Sequence, residues 1–310
     1  MTRIVTTFAL PDDALELLRP LGSIAGPEGW CGALADAEAL LCVLTDRVDA
    51  ELLEAAPALR VVANAVVGYE HVDVAACRAR GIVVTNTPDV LTDATADLAF
   101  ALILSAMRGL PSAERSLRAG EYHGWGFWDY LGADPAGRTL GIYGMGRIGQ
   151  AVARRAAPFG MRVIYHSRSR LSAEDEAALG AEWTGFDGLI ARSDVLSLHV
   201  PLTPDTRHVI SADVLRRMRA GSYLINTARG ALVDEAALVD ALRDGPLAGA
   251  GLDVYEREPA LAPGLVDLPN VVLLPHVGSA TRETRTAMAL LAARNAHAVL
   301  TGNPPLTPIP

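Results

Sequence analysis

The stretch that decides the fold is "TLGIYGMGRIGQAVARR", residues 139–155. An apolar run leads into Gly144, Gly146 and Gly149 in the spacing GxGxxG, and a helical pattern follows at once. In a strand–loop–helix unit the first glycine permits a tight turn, the second lets the backbone approach a pyrophosphate, and the third allows close helix–strand packing. We therefore predict dinucleotide binding here; the alternative is a glycine turn with only a structural role.

The next apolar run, "MRVIYHS", ends where a dinucleotide-binding unit often carries an acid that binds the adenosine ribose of NAD. This chain has Ser167 there, followed by Arg168 and Arg170. A carboxylate would repel a 2'-phosphate, whereas arginine offers it charge-assisted hydrogen bonds. The pattern predicts a preference for NADP(H), with NAD(H) possible; the alternative is that both arginines are solvated on a loop.

Short apolar runs alternate with helical segments through the first hundred residues, and again after residue 138. This alternation is typical of βαβ crossovers and parallel sheets, and it predicts two open α/β domains. Between them, one long apolar helix is predicted from roughly Thr92 to Glu121. The last helix, about Ala280 to Leu300, makes the first domain discontinuous if it crosses back.

Composition limits the class of protein and its location. The chain has 310 residues, of which 50% are hydrophobic and 20% charged, as expected for a soluble globular protein of about two domains. There is no apolar run of membrane-spanning length and no secretory pattern at the start, so we expect a cytoplasmic protein without a membrane partner. A net charge of -9 without a basic stripe argues against nucleic acid as a partner.

Composition also excludes several kinds of chemistry. The sequence contains no lysine, which excludes Schiff-base and pyridoxal-phosphate enzymes, Walker-type loops and dehydrogenases with a Tyr/Lys pair. Cys31, Cys42 and Cys77 are too few and too scattered for a disulfide framework. His, Asp and Cys residues show no metal-site spacing, so we predict no metal.

Three later strand ends each carry an ionisable residue: Arg229 in "INTARG", Glu258 in "LDVYEREP" and His276 in "LLPHVGSA". The carboxyl ends of strands in an open α/β sheet form the ligand crevice, so these side chains can converge. Imidazole suits proton donation to an alkoxide, a carboxylate behind it fixes its tautomer, and arginine binds a carboxylate. The set is sufficient for reducing a small 2-oxo acid.

At this point the sequence resembles the D-isomer-specific 2-hydroxyacid dehydrogenases along almost the whole chain. The matching stretches are "VVGYEHVDVAACRARGIVVTNTP", "LTDATADLAFALIL", "GRTLGIYGMGRIGQAVARR", "LHVPLTPDTRHVI", "LINTARGALVDEAAL", "AGAGLDVYEREP" and "NVVLLPHVGSAT". The resemblance implies two Rossmann-like open parallel-sheet domains with an interdomain cleft, and a homodimer. It implies a flavodoxin-like substrate-binding domain at 1–95 plus about 284–310, and a dinucleotide-binding domain at 96–283.

The resemblance also implies roles for the three ionisable residues. Arg229 looks like the substrate-binding arginine, His276 like the general acid and base, and Glu258 like the partner of His276. Glu256 lies nearer the strand, but the carboxylate of the family immediately precedes the proline of "EREP", which points to Glu258.

Further positions take roles from the same resemblance. The backbone around Val67 and Gly68 looks like the loop that receives the substrate carboxylate, and Asp253 like the residue that holds the nicotinamide carboxamide. The remaining expected cofactor contacts lie against the pyrophosphate at Arg147 and Ile148 and on the nicotinamide side at Thr227 and Gly278.

Within the family, "YHSRSR" with "PHVGSATRETRTAMA" is most similar to NADPH-dependent reductases of glyoxylate, hydroxypyruvate and 2-ketogluconate. Two alternatives stay open. One is an NAD-dependent dehydrogenase of another substrate, such as phosphoglycerate, D-lactate or phosphite. The other is a non-catalytic dinucleotide-sensing interaction protein, like the corepressors that share this architecture.

Two features have competing interpretations. His199 in "LHVPLT" also ends a strand, but its neighbours match the adenine side of the family's pocket, so we do not expect it to be the proton donor. The aromatic stretch "YHGWGFWDY", residues 122–130, is interpreted first as interface packing. The alternative is that Trp125, Phe127 or Trp128 reaches the substrate pocket of a neighbouring subunit.

Overall fold

The computed structural model describes residues 2–309. Its contacts divide the chain into two units. The first unit comprises the residues up to Leu91 together with those from Ser279 onward, and the second unit runs from Thr92 to Gly278. Both boundaries fall a few residues before the expected ones, at positions that leave the helices beginning at Thr92 and Arg282 whole.

Strands and helices alternate along both units. The strands are β1 (Thr2–Thr6), β2 (Gly22–Ala25), β3 (Ala37–Cys42), β4 (Val61–Asn64), β5 (Val83–Thr85), β6 (Thr139–Tyr143), β7 (Arg162–His166), β8 (Ala181–Trp183), β9 (Val195–Leu198), β10 (Ser222–Asn226), β11 (Leu247–Leu252) and β12 (Val271–Leu273). The helices are α1 (Asp12–Leu18), α2 (Ala50–Ala55), α3 (Val74–Ala79), α4 (Thr92–Met107), α5 (Leu110–Arg118), α6 (Arg147–Ala156), α7 (Ala173–Leu179), α8 (Phe186–Arg192), α9 (Ala212–Arg217), α10 (Glu235–Arg243) and α11 (Arg282–Leu300).

The first unit is built on a parallel sheet in the order β2-β1-β3-β4-β5, which is the flavodoxin-like order. Its central strands are buried on both faces, as expected when helices cover a parallel sheet. Helix α11 packs onto this sheet, where Ala292 and Ala296 are fully buried in one cluster with Ile4. The C-terminal segment is therefore an integral layer of the first unit.

The second unit is built on a parallel sheet in the order β12-β11-β10-β9-β6-β7-β8. Counted from β6, this is the doubly wound Rossmann order with one further strand. The order reverses between β6 and β9, where the Gly144 N–H donates to the carbonyl of His166 and the His199 N–H to that of Tyr143. The two sheets confirm the predicted α/β class, and the crevice outside the carboxyl ends of β6 and β9 is the place where such sheets bind ligands.

The prediction of one helix from Thr92 to Glu121 is wrong. Helix α4 ends at Met107 and α5 begins at Leu110, with a bend of 65° between them. Gly109 adopts a left-handed φ of 60°, and Pro111 in the first turn of α5 has no N–H to continue the α4 hydrogen bonds. Within residues 2–309 no single helix is long and apolar enough to cross a membrane. The bent pair α4 and α5 together has the length and composition of a membrane span, and by those two criteria only.

Candidate active site

The glycine-rich loop joins β6 to α6 at the point where the strand order reverses. Gly144 has a φ of 101°, and a Cβ there would lie 2.6 Å from the carbonyl oxygen of His199. A Cβ on Gly149 would lie 2.1 Å from the carbonyl oxygen of Gly144. Both positions therefore require glycine, the first for backbone conformation and the second for the close approach of helix and loop.

The first turn of α6 is open toward this loop. Gly146 is its N-cap residue, and within the described chain no side chain caps the helix there. A Cβ on Gly146 would meet no atom within 4 Å, so the loop leaves free space beside the helix amides. Arg147 and Ile148 lie in this first turn. Unsatisfied amides at a helix N-terminus bind anions, so the loop fits the pyrophosphate of a dinucleotide.

The two predicted arginines after β7 differ in their side-chain contacts. Arg168 is exposed, and in the part of the chain that the structure describes its side chain has no partner. Arg170 instead donates two hydrogen bonds to Glu176, with Nε 2.8 Å from Oε1 and Nη2 2.7 Å from Oε2. Ser167 donates from Oγ to the carbonyl of Ser169 at 2.6 Å. Of the two cations, only Arg168 is free of an internal ion pair.

The three ionisable residues follow three adjacent strands of the second unit. Arg229 follows β10, Glu258 follows β11 and His276 follows β12. His276 Nδ1 lies 2.8 Å from Glu258 Oε2, and the Tyr255 N–H donates to Glu258 Oε1 at 2.9 Å. The structure therefore brings His276 and Glu258 into direct contact and fixes the carboxylate from the backbone side.

Glu256 has different partners. One of its carboxylate oxygens lies 2.8 Å from His208 Nε2 and 2.9 Å from Arg207 Nη2. Its N–H donates to Glu235, a carboxylate that is only 4% exposed, at 2.6 Å. Glu256 thus ties the Glu258 loop to its surroundings and does not contact His276. Sequence reasoning missed Glu235, and its only signal is an acid in the first turn of α10.

The electrostatics of Glu258 keep its carboxylate ionised. Burial alone would raise its pKa, but the hydrogen bonds from His276 and the Tyr255 N–H outweigh this effect. The positive charges of His276 and Arg229 act in the same direction, and the pKa of Glu258 is lowered from its usual value of 4.5. An ionised carboxylate stabilises the protonated form of the imidazole that it contacts.

The turn that carries Arg229 is fixed by Asn226. The side chain of Asn226 accepts a hydrogen bond from the Ala228 N–H at 3.0 Å and donates to the carbonyl of Arg229 at 2.8 Å. Gly230 follows, and a Cβ on it would lie 1.8 Å from the carbonyl carbon of Tyr255. Glycine at this position therefore lets the Arg229 turn contact the loop that carries Glu258.

Asp253 supports the turn that carries His276. Its two carboxylate oxygens accept hydrogen bonds from the N–H groups of Val277 and Gly278, each at 2.7 Å. His276 has a φ of 55°, which is unusual for a residue with a side chain and needs such support. Burial raises the pKa of Asp253 although these two hydrogen bonds oppose it. A contact between Asp253 and the nicotinamide carboxamide stays a prediction.

The comparisons identify the family. The profile described as "D-isomer specific 2-hydroxyacid dehydrogenase, NAD binding domain" matches residues 100–278, which is more than half of the chain. The chain belongs to the D-isomer specific 2-hydroxyacid dehydrogenase family. Membership makes it an oxidoreductase with a nicotinamide-dinucleotide-binding domain and a small-molecule substrate.

Relatives in this dehydrogenase family align along nearly the full chain. A glyoxylate reductase from Thermococcus litoralis is 46% identical over 98% of this chain and 95% of its own. A glyoxylate reductase from Aeropyrum pernix is 50% identical over 87% of this chain and 82% of its own. A solved structure of an NADPH-dependent glyoxylate/hydroxypyruvate reductase from Sinorhizobium meliloti, in complex with NADP and malonate, is 39% identical, with a TM-score of 0.88 over 99% of this chain and 96% of that one.

Thr227 and His199, which the resemblance to the family implies on the nicotinamide and adenine sides of the cofactor, have contrasting environments. The hydroxyl of Thr227 is buried and has no hydrogen-bond partner within residues 2–309, so it is available to a ligand. His199 is half-buried, with Nε2 2.8 Å from Ser197 Oγ. Burial lowers the pKa of His199 to about 4, so its imidazole is neutral at neutral pH and poorly suited to donating a proton.

The predicted substrate loop of this family member lies in the first unit. Asn64 Nδ2 donates to the carbonyl of Gly68 at 2.8 Å, and Asn86 Nδ2 donates to the carbonyl of Val67 at 2.9 Å. These side chains fix the loop after β4, and its contact with substrate stays a prediction. Within the described residues no group of three or more His, Cys, Asp or Glu side chains is placed to hold a metal ion.

Proposed function

We propose that this dehydrogenase reduces a small 2-oxo acid of the glyoxylate, hydroxypyruvate or 2-ketogluconate class to the D-2-hydroxy acid, with NADPH as the preferred cofactor. The observation that carries the proposal is the hydrogen bond of His276 to an ionised Glu258, with Arg229 on the neighbouring strand end. The reductase names of the relatives from Thermococcus litoralis and Sinorhizobium meliloti support this substrate class.

Each of these side chains has a separate task. Arg229 presents a planar guanidinium that binds the carboxylate of the substrate and polarises its carbonyl. His276 gives the proton that the reduced carbonyl oxygen needs. Because Glu258 occupies Nδ1, the Nε2 atom is the one left to donate. NADPH, when bound, supplies the hydride.

The proposed preference for NADPH rests on the residues after β7. Ser167 stands where an acid would favour NAD, and the exposed Arg168 is available to a 2'-phosphate. The Sinorhizobium meliloti relative is NADPH-dependent and was solved with NADP, which supports the same assignment here.

We further propose a homodimer that functions in the cytoplasm. The dimer is supported by exposed aromatic side chains in the second unit, where Trp125 is 80% and Trp128 is 76% exposed. Large exposed apolar groups that lie close together favour association with a partner surface. The cytoplasmic location rests on the sequence alone.

The proposal is tested by a panel of 2-oxo acids assayed with NADPH and with NADH. The panel contains glyoxylate, hydroxypyruvate and 2-ketogluconate, and it includes pyruvate and phosphohydroxypyruvate as alternative substrates for comparison. We expect NADPH oxidation with at least one of the first three and a higher kcat/KM with NADPH than with NADH. Cofactor binding without turnover of any 2-oxo acid would instead indicate a dinucleotide-sensing protein.

A further inference from the structure

Arg170 and Glu176 form a closed contact at the end of β7. Two guanidinium nitrogens of Arg170 face the two carboxylate oxygens of Glu176, at 2.8 and 2.7 Å. The Tyr165 hydroxyl donates to Glu176 Oε1 at 2.7 Å and accepts from the Leu171 N–H at 2.8 Å. The carboxylate is therefore held from two sides, and it faces the same loop that carries Arg168.

The Arg170 side chain is also held by an aromatic ring. Its Cζ atom lies 5.8 Å from the centre of the Trp183 ring, at the end of the neighbouring strand β8. Arg168, two residues earlier, is exposed and has neither type of contact among residues 2–309. Two arginines that look equivalent in the sequence therefore differ in what they can offer to an anion.

We propose that Glu176 is a specificity-determining residue, which withholds Arg170 from the cofactor so that recognition of the 2'-phosphate depends on Arg168. This inference rests on the proposed function, because it assumes that the loop after β7 receives the adenosine 2'-phosphate. It adds that the preference for NADPH over NADH is weaker than it would be if both Arg168 and Arg170 bound the 2'-phosphate.

Competition explains the effect. A carboxylate and a phosphate bind the same pair of guanidinium nitrogens. While these nitrogens of Arg170 bind Glu176, they cannot bind the 2'-phosphate. The carboxylate belongs to the same chain, which gives it a high effective concentration. The hydrogen bonds from Arg170 and Tyr165 lower the pKa of Glu176 to about 2, so the competing charge persists throughout the pH range of an enzyme assay.

The direct test is Glu176→Gln in the full-length protein. Glutamine keeps one oxygen that can accept from the Tyr165 hydroxyl and from Arg170 Nε. Its NH2 group replaces the oxygen that accepts from Arg170 Nη2, and the negative charge is lost, so the hold on Arg170 is weakened. By fluorescence titration, we expect the Kd for NADPH to fall about tenfold and the Kd for NADH to change less than twofold. Glu182→Gln is the control, because Glu182 forms an ion pair with Arg192, at 2.8 Å, instead of with Arg170.

A rescue experiment separates this inference from the proposed function. Arg168→Ala alone tests whether the loop reads the 2'-phosphate, and equal weakening of NADPH and NADH would contradict the NADPH proposal. Where Arg168→Ala weakens NADPH selectively, Arg168→Ala/Glu176→Gln should regain affinity for NADPH, and adding Arg170→Ala should remove the gain. Unchanged or weaker NADPH binding in Glu176→Gln, with a normal response to Arg168→Ala, would overturn the role of Glu176 alone.

Discussion

The Nδ1 atom of His276 lies 2.8 Å from Oε2 of Glu258, and the other oxygen of that carboxylate accepts the Tyr255 N–H at 2.9 Å. The imidazole is thus held at one nitrogen by a carboxylate that the backbone itself orients. This contact joins two adjacent strand ends and fixes which nitrogen of His276 faces away from Glu258, which is the nitrogen that the proposed proton transfer uses.

Glu258→Gln should retain the shape of this contact but remove its negative charge. We expect kcat for reduction to fall about a hundredfold or more, because the protonated imidazole loses its stabilising partner. Glu256→Gln is the matched control, since Glu256 contacts His208 and Arg207 instead of His276. A similar loss in both variants would contradict the assignment of Glu258.

The pH dependence should follow the same pair. Reduction needs a protonated imidazole and oxidation a neutral one, so the reductive rate should fall as pH rises and the oxidative rate should rise. The pKa of Glu258 is lower in the folded chain than its usual value of 4.5. The ionised carboxylate therefore stabilises the folded state above about pH 4.5, and this stabilisation is lost as the pH falls through the folded pKa. The stability of Glu258→Gln should accordingly depend less steeply on pH in the acid range than that of the wild type. Reductive and oxidative kcat measured against pH check the first point, and unfolding measured against pH checks the second.

Arg229→Ala should impair both binding and chemistry. The variant loses the guanidinium that binds the substrate carboxylate and polarises the carbonyl, so we expect kcat/KM to fall about a hundred- to a thousandfold. Arg229→Lys should recover only a small part, because an ammonium group cannot form the same fork. Near-normal kcat/KM in Arg229→Ala would remove this residue from the site.

Gly230→Ala should disturb the contact between two catalytic turns. A Cβ at Gly230 would overlap the carbonyl group of Tyr255, so the Arg229 turn and the Glu258 loop must move apart. We expect a loss of about 1–3 kcal/mol in the free energy of unfolding, together with lower kcat. Gly32→Ala serves as the control because Gly32 is exposed and a Cβ there meets no atom within 4 Å. Equal stability of the two variants in denaturant titrations would show that the close approach is not needed.

Arg168→Ala should reveal how the cofactor is recognised. Losing a charge-assisted contact to the 2'-phosphate should raise KM for NADPH roughly ten- to a hundredfold and leave KM for NADH nearly unchanged. Steady-state kinetics with both cofactors measure the effect. A parallel rise for the two cofactors would mean that Arg168 does not read the phosphate.

Local sequence pattern predicted the parts of the site that lie where a strand ends and a loop begins. The spacing of Gly144, Gly146 and Gly149 placed the loop between a strand and a helix, as the structure shows. Arg229 and His276 were placed at strand ends because apolar runs precede them, and the structure has them there.

Other features depend on contacts that no local pattern reveals. The ion pair of Arg170 with Glu176 requires a helix to return to the end of β7, and the hydrogen bonds of Asp253 join residues 24 and 25 positions apart. The break at Gly109, by contrast, has a local signal, because Pro111 follows two residues later, and the prediction of one continuous helix overlooked it.

The most direct measurement of the central claim is glyoxylate-dependent oxidation of NADPH by the wild-type protein and by His276→Asn. We predict turnover by the wild type and a loss of kcat of about a hundredfold or more in the variant, while the Kd for NADPH stays nearly unchanged. A variant that reduces glyoxylate at the wild-type rate would contradict the role of His276 as the proton donor. A wild-type protein that binds NADPH and turns over no 2-oxo acid would contradict the proposed reaction itself.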